Sequence, residues 1–158
     1  MADIIRITPD NYRAFEAMVQ WRMTGQRQPI DQTLNHHGGN KDNDPKLEQV
    51  CKELTRDTFH VFAVEVDQVM VGWIQMHYMA KIGPRWPSGV IYVDELWVHP
   101  DYRRQGLAQA LMETCDQMRD HHGASQCRLN VTNPHAKALY EKVGYRAQEE
   151  MGFFMVKE

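Results

Sequence analysis

The feature that most constrains the fold is a strong strand that runs through a glycine-containing turn into a long amphipathic helix. Val90 to Val98 is apolar except for two adjacent acids at its centre, and it predicts a strand. From about Arg104 to His121, apolar residues recur at three- and four-residue steps and predict a helix. Gly106 lies where the two elements join, so the chain is expected to turn sharply there.

Strands and helices are mixed along the rest of the chain. In the N-terminal part, the pattern predicts a strand over Asp3–Thr8, a helix opened by Pro9 and a second helix opened by Pro45. Two strands follow, over Phe59–Val66 and Val69–Met79, and Asp67-Gln68 joins them. The C-terminal part predicts a strand over Gln126–Val131, a helix from Asn133-Pro134 to a cap at Gly144, and closing strands over Tyr145–Gln148 and Gly152–Lys157. This order predicts an α/β or α+β fold, in which helices cover the faces of one sheet.

Composition is that of an ordinary globular domain. The chain has 158 residues, of which 42% are hydrophobic and 25% charged, and no apolar run approaches the roughly 20 residues that a membrane span needs. A net charge of −3 without a Lys/Arg-rich stripe argues against a nucleic-acid partner. The opening residues carry acids and lack the apolar stretch of a signal peptide, so a cytoplasmic protein without membrane association is expected.

The junction between the central strand and its helix is suited to bind a phosphate. The first turn of a helix leaves backbone N–H groups without partners, and the positive end of the peptide dipoles lies behind them. Gly106 and Ala108 are small enough for an anion to approach the backbone, and Arg103 and Arg104 add positive charge beside it. The segment has neither the Gly-Lys-Ser/Thr of a P-loop nor the spacing of a dinucleotide fingerprint.

Two motifs give the chain a resemblance to a known family. Arg103-Arg104-Gln105-Gly106-Leu107-Ala108 resembles the R/Q-x-x-G-x-G/A signature of the GNAT superfamily of N-acetyltransferases, and Leu96-x-Val98-x-Pro100 before it is similar to that family's strand and turn. Downstream, Asn133-x-x-Ala136-x-x-Leu139-Tyr140-x-x-x-Gly144-Tyr145 resembles the family's late helix. The two motifs cover roughly the C-terminal half, and the N-terminal half matches in the coarse order of its elements.

The resemblance implies a single acyl-CoA N-acetyltransferase domain over residues 1–158. Its fold would be a mixed, mostly antiparallel central sheet with helices on both faces and a splayed parallel strand pair. Acetyl-CoA would be the acetyl donor and no metal would be needed. A small amine (a polyamine, amino acid or aminoglycoside) is favoured over a protein N-terminus or lysine as the acceptor, and homodimerisation is a family-based expectation. The residues that the resemblance assigns to cofactor binding are Leu96, Trp97, Val98, Arg103, Arg104, Gln105, Gly106, Leu107, Ala108 and Asn133.

Three side chains are candidates for catalysis. The resemblance points to Tyr140 as the acid for the departing thiolate and to the Val98 N–H as the oxyanion donor. Asp94 and Glu95 are rivals for receiving the proton of the amine, since adjacent carboxylates in an apolar strand are costly to bury. Many relatives carry glutamate where Asp94 stands, so the base stays open between the two acids and a relaying water. Because side chains alternate along a strand, only one acid should face the substrate unless a bulge intervenes.

The acceptor itself is not readable from the sequence. The loops Thr24–Asp44 and Lys81–Gly89 flank the substrate side in this family, and Trp86 with Glu149 and Glu150 is a candidate pocket for a cationic amine. A non-catalytic acyl-CoA-binding module, used for sensing or interaction, is the alternative to an enzyme.

Histidines and cysteines point to no further site. The pairs His36-His37 and His121-His122 lack the i, i+4 spacing of ligands on one helix face, and they are interpreted as solvated. The cysteines are odd in number and have no C-x-x-C spacing, so neither a disulfide framework nor a zinc site is predicted for Cys51, Cys115 and Cys127.

Overall fold

A computed structural model describes residues 1–27, 45–83, 88–148 and 155–158 of the chain. The elements in these ranges are, in chain order, β1 (Ala2–Arg6), α1 (Tyr12–Thr24), α2 (Pro45–Leu54), β2 (Phe59–Val66), β3 (Val69–Lys81), β4 (Ser88–Val98), a short 3-10 helix (Pro100–Tyr102), α3 (Leu107–His122), β5 (Gln126–Leu129) and α4 (Pro134–Lys142). None of the helices in the described ranges is long and apolar enough to cross a membrane.

The strands of the described residues form one sheet in the order β1-β2-β3-β4-β5. Neighbouring strands are antiparallel except for β4 and β5, which run parallel where residues 90–93 pair with residues 126–129. A parallel pair needs a crossover connection, and α3 provides it. The predicted mixed and mostly antiparallel sheet is therefore confirmed.

Helices cover both faces of this sheet. On one face, α3 packs through Leu111 and Cys115 into a buried cluster that includes Ile91 of β4. On the other face, Met18 of α1 joins a second cluster around Trp73 of β3. Because the central strands are covered on both sides, they are apolar on both faces, which explains their near-continuous apolar sequence.

The hairpin between β2 and β3 forms as predicted. Val66 pairs with Val69, so Asp67 and Gln68 alone make the turn. Both turn residues have positive φ, 48° and 63°, which is the conformation of a type I′ turn. The turn therefore forms without the glycine or asparagine that usually favours it.

The first helix begins later than Pro9, where the sequence predicted it. Asn11 closes a separate turn ahead of α1, because its side chain accepts from the Thr8 N–H at 2.8 Å and donates to the Arg6 carbonyl at 2.9 Å. Helical structure therefore begins at Tyr12.

Two further predictions differ from the structure. α3 begins at Leu107 rather than near Arg104, because Arg104 has a φ of 65° and cannot belong to a right-handed helix. The predicted strand over Tyr145–Gln148 does not form, because the Tyr145 N–H bonds to the Tyr140 carbonyl at 2.9 Å and completes the end of α4. The other predicted closing strand, Gly152–Lys157, falls largely outside the described residues.

Candidate active site

Strand β4 is longer than its parallel neighbour β5. The last pair that the two strands form is Val93 with Leu129, while β4 continues to Val98. Within the described residues, the side of β4 that would face β5 therefore has no strand partner over residues 94–98. We call this side the free edge of β4, and its backbone groups are available to an extended ligand.

The amide directions along the free edge follow from one hydrogen bond. The His99 N–H donates to the Val71 carbonyl of β3 at 2.8 Å. Residues two apart on a strand direct their N–H groups to the same side, so the Trp97 N–H also points toward β3. The N–H groups of Leu96 and Val98 consequently point toward the free edge. These are two of the predicted cofactor-binding positions.

The two acids of β4 lie at a β-bulge. Gln75 of β3 pairs with Glu95 and the next residue pairs with Val93, so Asp94 is an extra residue on β4. Asp94 accepts from Gln75 Nε2 at 3.2 Å, and Glu95 accepts from Trp73 Nε1 at 3.1 Å.

Trp73 and Gln75 are two residues apart on β3 and share one face of the sheet. Since each donates to one of the acids, both carboxylates reach that same face. The bulge therefore places both acids on one face, although an unbroken strand would place them on opposite faces. Both acids are exposed, so neither carries the burial cost that the apolar strand suggested.

The turn after β4 is shaped by two residues in the left-handed region. Arg104 has a φ of 65° and Gly106 a φ of 79°. The first helical hydrogen bond of α3 runs from the Ala110 N–H to the Gly106 carbonyl at 3.0 Å, which leaves the three preceding amides outside the helical ladder. Among the described residues, no side chain caps them, and the first turn holds no acid. A Cβ added to Gly106 meets no atom of these residues within 4 Å, so they leave open space in front of this backbone.

Arg103 has a different position from the one expected. Its Nε donates to the Val98 carbonyl at 3.0 Å, so the side chain folds back along the turn. This contact fixes the turn relative to the free edge. It also occupies the Nε donor of Arg103, a residue that the sequence predicted to bind phosphate. Arg104 and Gln105 are exposed on the same turn.

The second motif lies on α4. Asn133 caps this helix by accepting from the His135 N–H at 2.9 Å, so its side-chain oxygen is occupied. Tyr140 is half-buried and packs against the same core cluster as Leu96 of β4. Burial raises the pKa of Tyr140, so the phenol keeps its proton throughout the neutral range.

A pair of tryptophans lies beside the acids, and the sequence did not predict their arrangement. Trp73 and Trp97 lie directly opposite each other on β3 and β4, with ring centroids 4.9 Å apart. The Arg22 guanidinium of α1 lies over both indoles, its Cζ 5.2 Å from the Trp73 ring and 5.7 Å from the Trp97 ring. Within α1, Arg22 follows Met18 on the stripe that faces the sheet, and a charged residue on an apolar stripe was the available signal.

Several residues that the sequence predicted for the substrate side lie outside the part of the chain that the structure describes. Trp86, Glu149 and Glu150, which formed the candidate pocket for a cationic amine, lie outside the described residues. The pair His36-His37 and most of the loop over Thr24–Asp44 lie outside them as well.

The second histidine pair belongs to a cluster rather than to open solvent. His122 is half-buried and its Nε2 lies 2.7 Å from Nε2 of the fully buried His60, while His121 contacts Asp57 at 3.1 Å. The interpretation of His122 as solvated is therefore wrong. The sequence did not reveal the contact because His60 on β2 is distant from His122 along the chain.

This histidine cluster brings Asp57, His60 and His122 close enough for their ligand atoms to lie within 4.8 Å of one another. However, Arg6 donates to His60 Nδ1 at 2.9 Å, which places the proton of neutral His60 on Nε2. The two facing nitrogens then share a hydrogen bond, and a cation there would have to displace that proton beside a guanidinium.

Comparison with known proteins is consistent with this geometry. Residues 16–145 match the model of the family described as Acetyltransferase (GNAT) family. An aminoglycoside acetyltransferase from an uncultured soil metagenomic sample superposes with a TM-score of 0.74 at 21% identity, covering 99% of both chains. AAC(6')-Iy, in complex with the bisubstrate analog CoA-S-monomethyl-acetylneamine, has a TM-score of 0.71 at 16% identity, again over 99% of both chains. A ribosomal-protein-alanine N-acetyltransferase from Brucella melitensis biovar Abortus 2308 has a TM-score of 0.68 at 17% identity, with 99% of each chain covered.

Proposed function

Because the chain belongs to the acetyltransferase (GNAT) family, we propose that it transfers an acetyl group from acetyl-CoA to a primary amine by direct attack in a ternary complex. The observation that carries the proposal is the free edge of β4, which leads into an uncapped helix start. An extended ligand with an anionic segment fits this arrangement, because strand amides pair with its arm and helix amides with its phosphates.

The proposed binding residues follow the same arrangement. The amides of residues 104–108 would hold the pyrophosphate, with the open space at Gly106 allowing close approach, whereas the Arg103 N–H already donates to the Pro100 carbonyl at 3.2 Å. The Leu96 to Val98 edge would pair with the pantetheine arm. Asn133 would contribute its amide nitrogen, because the oxygen is already used by the helix cap. Arg103 would act by holding the turn, whereas exposed Arg104 supplies charge.

The chemistry requires an amine without its proton. An alkylammonium would lose that proton to Glu95, to Asp94, or to a water held between them, since both carboxylates reach one face of β4. The nitrogen then forms its bond to the acetyl carbon as the carbon–sulfur bond breaks. The Val98 N–H donates to the carbonyl oxygen as negative charge develops there. Tyr140, still protonated, would donate its proton to the departing thiolate and then take up the second proton, which the nitrogen loses as the amide forms.

Likeness to solved structures supports the class of acceptor. Two of the similar structures are described as acting on aminoglycosides or binding an acetylneamine analog, and a third as acting on a ribosomal-protein alanine. We propose a small amine rather than a protein, used in the cytoplasm and without a required metal. Homodimerisation is part of the same proposal, and sedimentation of a monomer would remove it.

The decisive experiment measures release of free CoA thiol from acetyl-CoA across a panel of primary amines. Turnover with at least one amine is expected, and Tyr140→Phe should lower kcat by about 10- to 100-fold while acetyl-CoA still raises Tm. Cofactor binding without thiol release for any amine would favour the acyl-CoA-binding module instead. If acetyl-CoA has no effect on Tm, the proposed cofactor site is wrong.

The two acids can be separated by comparing Asp94→Asn with Glu95→Gln. The variant that removes the base should lose about 100-fold or more in kcat/KM, and its rate should no longer rise with pH in the same way as the parent's. Losses below tenfold in both variants would assign the proton transfer to water.

A further inference from the structure

Arg22 occupies a position that the proposed chemistry does not use. It lies in the last turn of α1 on the stripe that packs against the sheet, four residues after Met18, which is only 3% exposed. Its guanidinium is exposed and covers the indoles of Trp73 and Trp97. Among the described residues, no carboxylate lies within ion-pair distance of it.

A cation–π contact involves the positive charge of a guanidinium and the faces of the rings. The indole rings offer no oxygen acceptor to the N–H donors of Arg22. The donors form a rigid fork that matches the two oxygens of a carboxylate. The two indoles therefore hold the guanidinium of Arg22 in place, and none of the carboxylates in the described residues pairs with its donors.

Negatively charged carboxylates lie near the same Trp73 indole. Trp73 carries the Arg22 guanidinium over its face and donates its Nε1 proton to Glu95 at 3.1 Å. Asp94 lies beside Glu95 at the bulge. The Trp73 indole thus lies between a cationic group and an anionic group, and a ligand with a positive and a negative group would complement both.

We propose that the acceptor is a primary amine that carries a carboxylate several bonds from its nitrogen, as in a straight-chain omega-amino acid. This inference rests on the proposed function, since Asp94 and Glu95 receive the amine end. Arg22 binds the acceptor carboxylate, which is unchanged by the reaction, and so determines specificity without touching the reacting atoms. A polycationic aminoglycoside would instead bring positive charge against Arg22.

The test compares acceptors that differ only in the carboxylate. Omega-amino acids from aminobutyrate to aminohexanoate are assayed for CoA thiol release against their own carboxamides, with an aminoglycoside alongside. Wild type should prefer the acid over the amide by at least about tenfold in kcat/KM for the best chain length. Arg22→Gln should bring that ratio close to one while turnover of the carboxamide stays near the wild-type value.

Two further variants separate recognition from packing. Arg22→Lys keeps the charge without the fork and should retain only part of the preference. Arg56→Gln, which removes an exposed arginine that is already paired with Glu53, should leave the ratio unchanged. If Arg22→Gln lowers turnover of acid and amide equally, Arg22 has a structural role and the inference is wrong. A wild-type preference for the carboxamide or the aminoglycoside would also overturn it, while leaving acetyl transfer intact.

A binding readout keeps the two proposals apart. In CoA-saturated protein, aminohexanoate should raise Tm in wild type and not in Arg22→Gln. If this shift occurs without thiol release, the carboxylate site stands and the proposed catalysis fails. If neither shift nor preference is seen, while other amines are acetylated, the carboxylate site alone fails.

Discussion

His60 should link the stability of this protein to pH. The side chain is fully buried, accepts from Arg6 at Nδ1 over 2.9 Å, and donates from Nε2 to His122 over 2.7 Å. Burial, and then the nearby charge of Arg6, lower the pKa of His60 from 6.5 to about 4. Burial also lowers the pKa of His122.

The sign of the effect follows from proton uptake. Between pH 6.5 and about 4 the unfolded chain protonates this histidine and the folded protein does not, so acid favours unfolding in that window. The stability contributed by His60 is complete above pH 6.5 and is lost as pH falls toward 4. At about 1.36 kcal/mol per pKa unit, His60 accounts for a loss of up to about 3 kcal/mol. His122 adds to it in the same direction.

The measurement is the free energy of unfolding in urea from pH 7.5 to 4.5, followed by tryptophan fluorescence, for which buried Trp73 is a reporter. His60→Gln keeps groups that accept from Arg6 and donate to His122, but it cannot take up a proton. This variant should be less stable than wild type at pH 7.5, and its stability should fall less steeply toward pH 4.5. His121→Gln removes an exposed imidazole from the same cluster and serves as the matched control.

The groups around His60 come from several parts of the chain. Arg6 of β1, Asp57, His121 and His122 surround it, and Tyr78 stacks on His122 at 4.1 Å. The pKa of Asp57 is lowered from 3.8, so this carboxylate titrates below the pH window in which His60 acts. Parallel pH profiles for wild type and His60→Gln would refute the reasoning, as would a flattened profile in His121→Gln.

Three other changes test the turn and the histidine cluster. Arg104→Gly should raise the free energy of unfolding by about 0.5–1 kcal/mol, because glycine adopts the observed φ of 65° without steric cost; an unchanged or lower value in urea would contradict this. Gly106→Ala should lower stability by about 1 kcal/mol at its φ of 79° and reduce the acetyl-CoA-induced rise in Tm, and a full rise would show that the turn is not the phosphate site. A chelator should leave Tm unchanged, because His60 and His122 share a proton rather than a cation; a fall of several degrees would mean that a metal binds there.

The sequence predicted those parts of the fold that depend on local patterns. Periodicity located β2 and β3, and the pair Asp67-Gln68 was recognised as their turn because nothing else separates two apolar runs. The proposed cofactor site also rests on two motifs that are local in the sequence, and it stays a prediction. The strand over Tyr145–Gln148 was wrong for a related reason, since a short apolar run does not reveal that its first amide is used to end a helix.

Contacts between distant residues could not be predicted in this way. The pairing of His60 with His122 joins positions far apart in the chain, and neither position shows a pattern that identifies the other. The position of Arg22 left a weaker signal. It continued the apolar stripe of α1, where a helix packed on a sheet normally carries another apolar residue, and the structure places its guanidinium over Trp73 and Trp97.

The bulge at Asp94 connects the features of the site that local patterns missed. An extra residue shifts the alternation of β4, so that Val93 and Leu96 both contact the core under α3, although an unbroken strand would place them on opposite faces. A bulge also bends its strand and can end pairing with a neighbour, and parallel pairing with β5 stops at Val93, the residue before the insertion. The same insertion therefore accounts for the free edge and for two acids on one face. The two adjacent acids inside this apolar strand thus indicate a β-bulge rather than two buried charges.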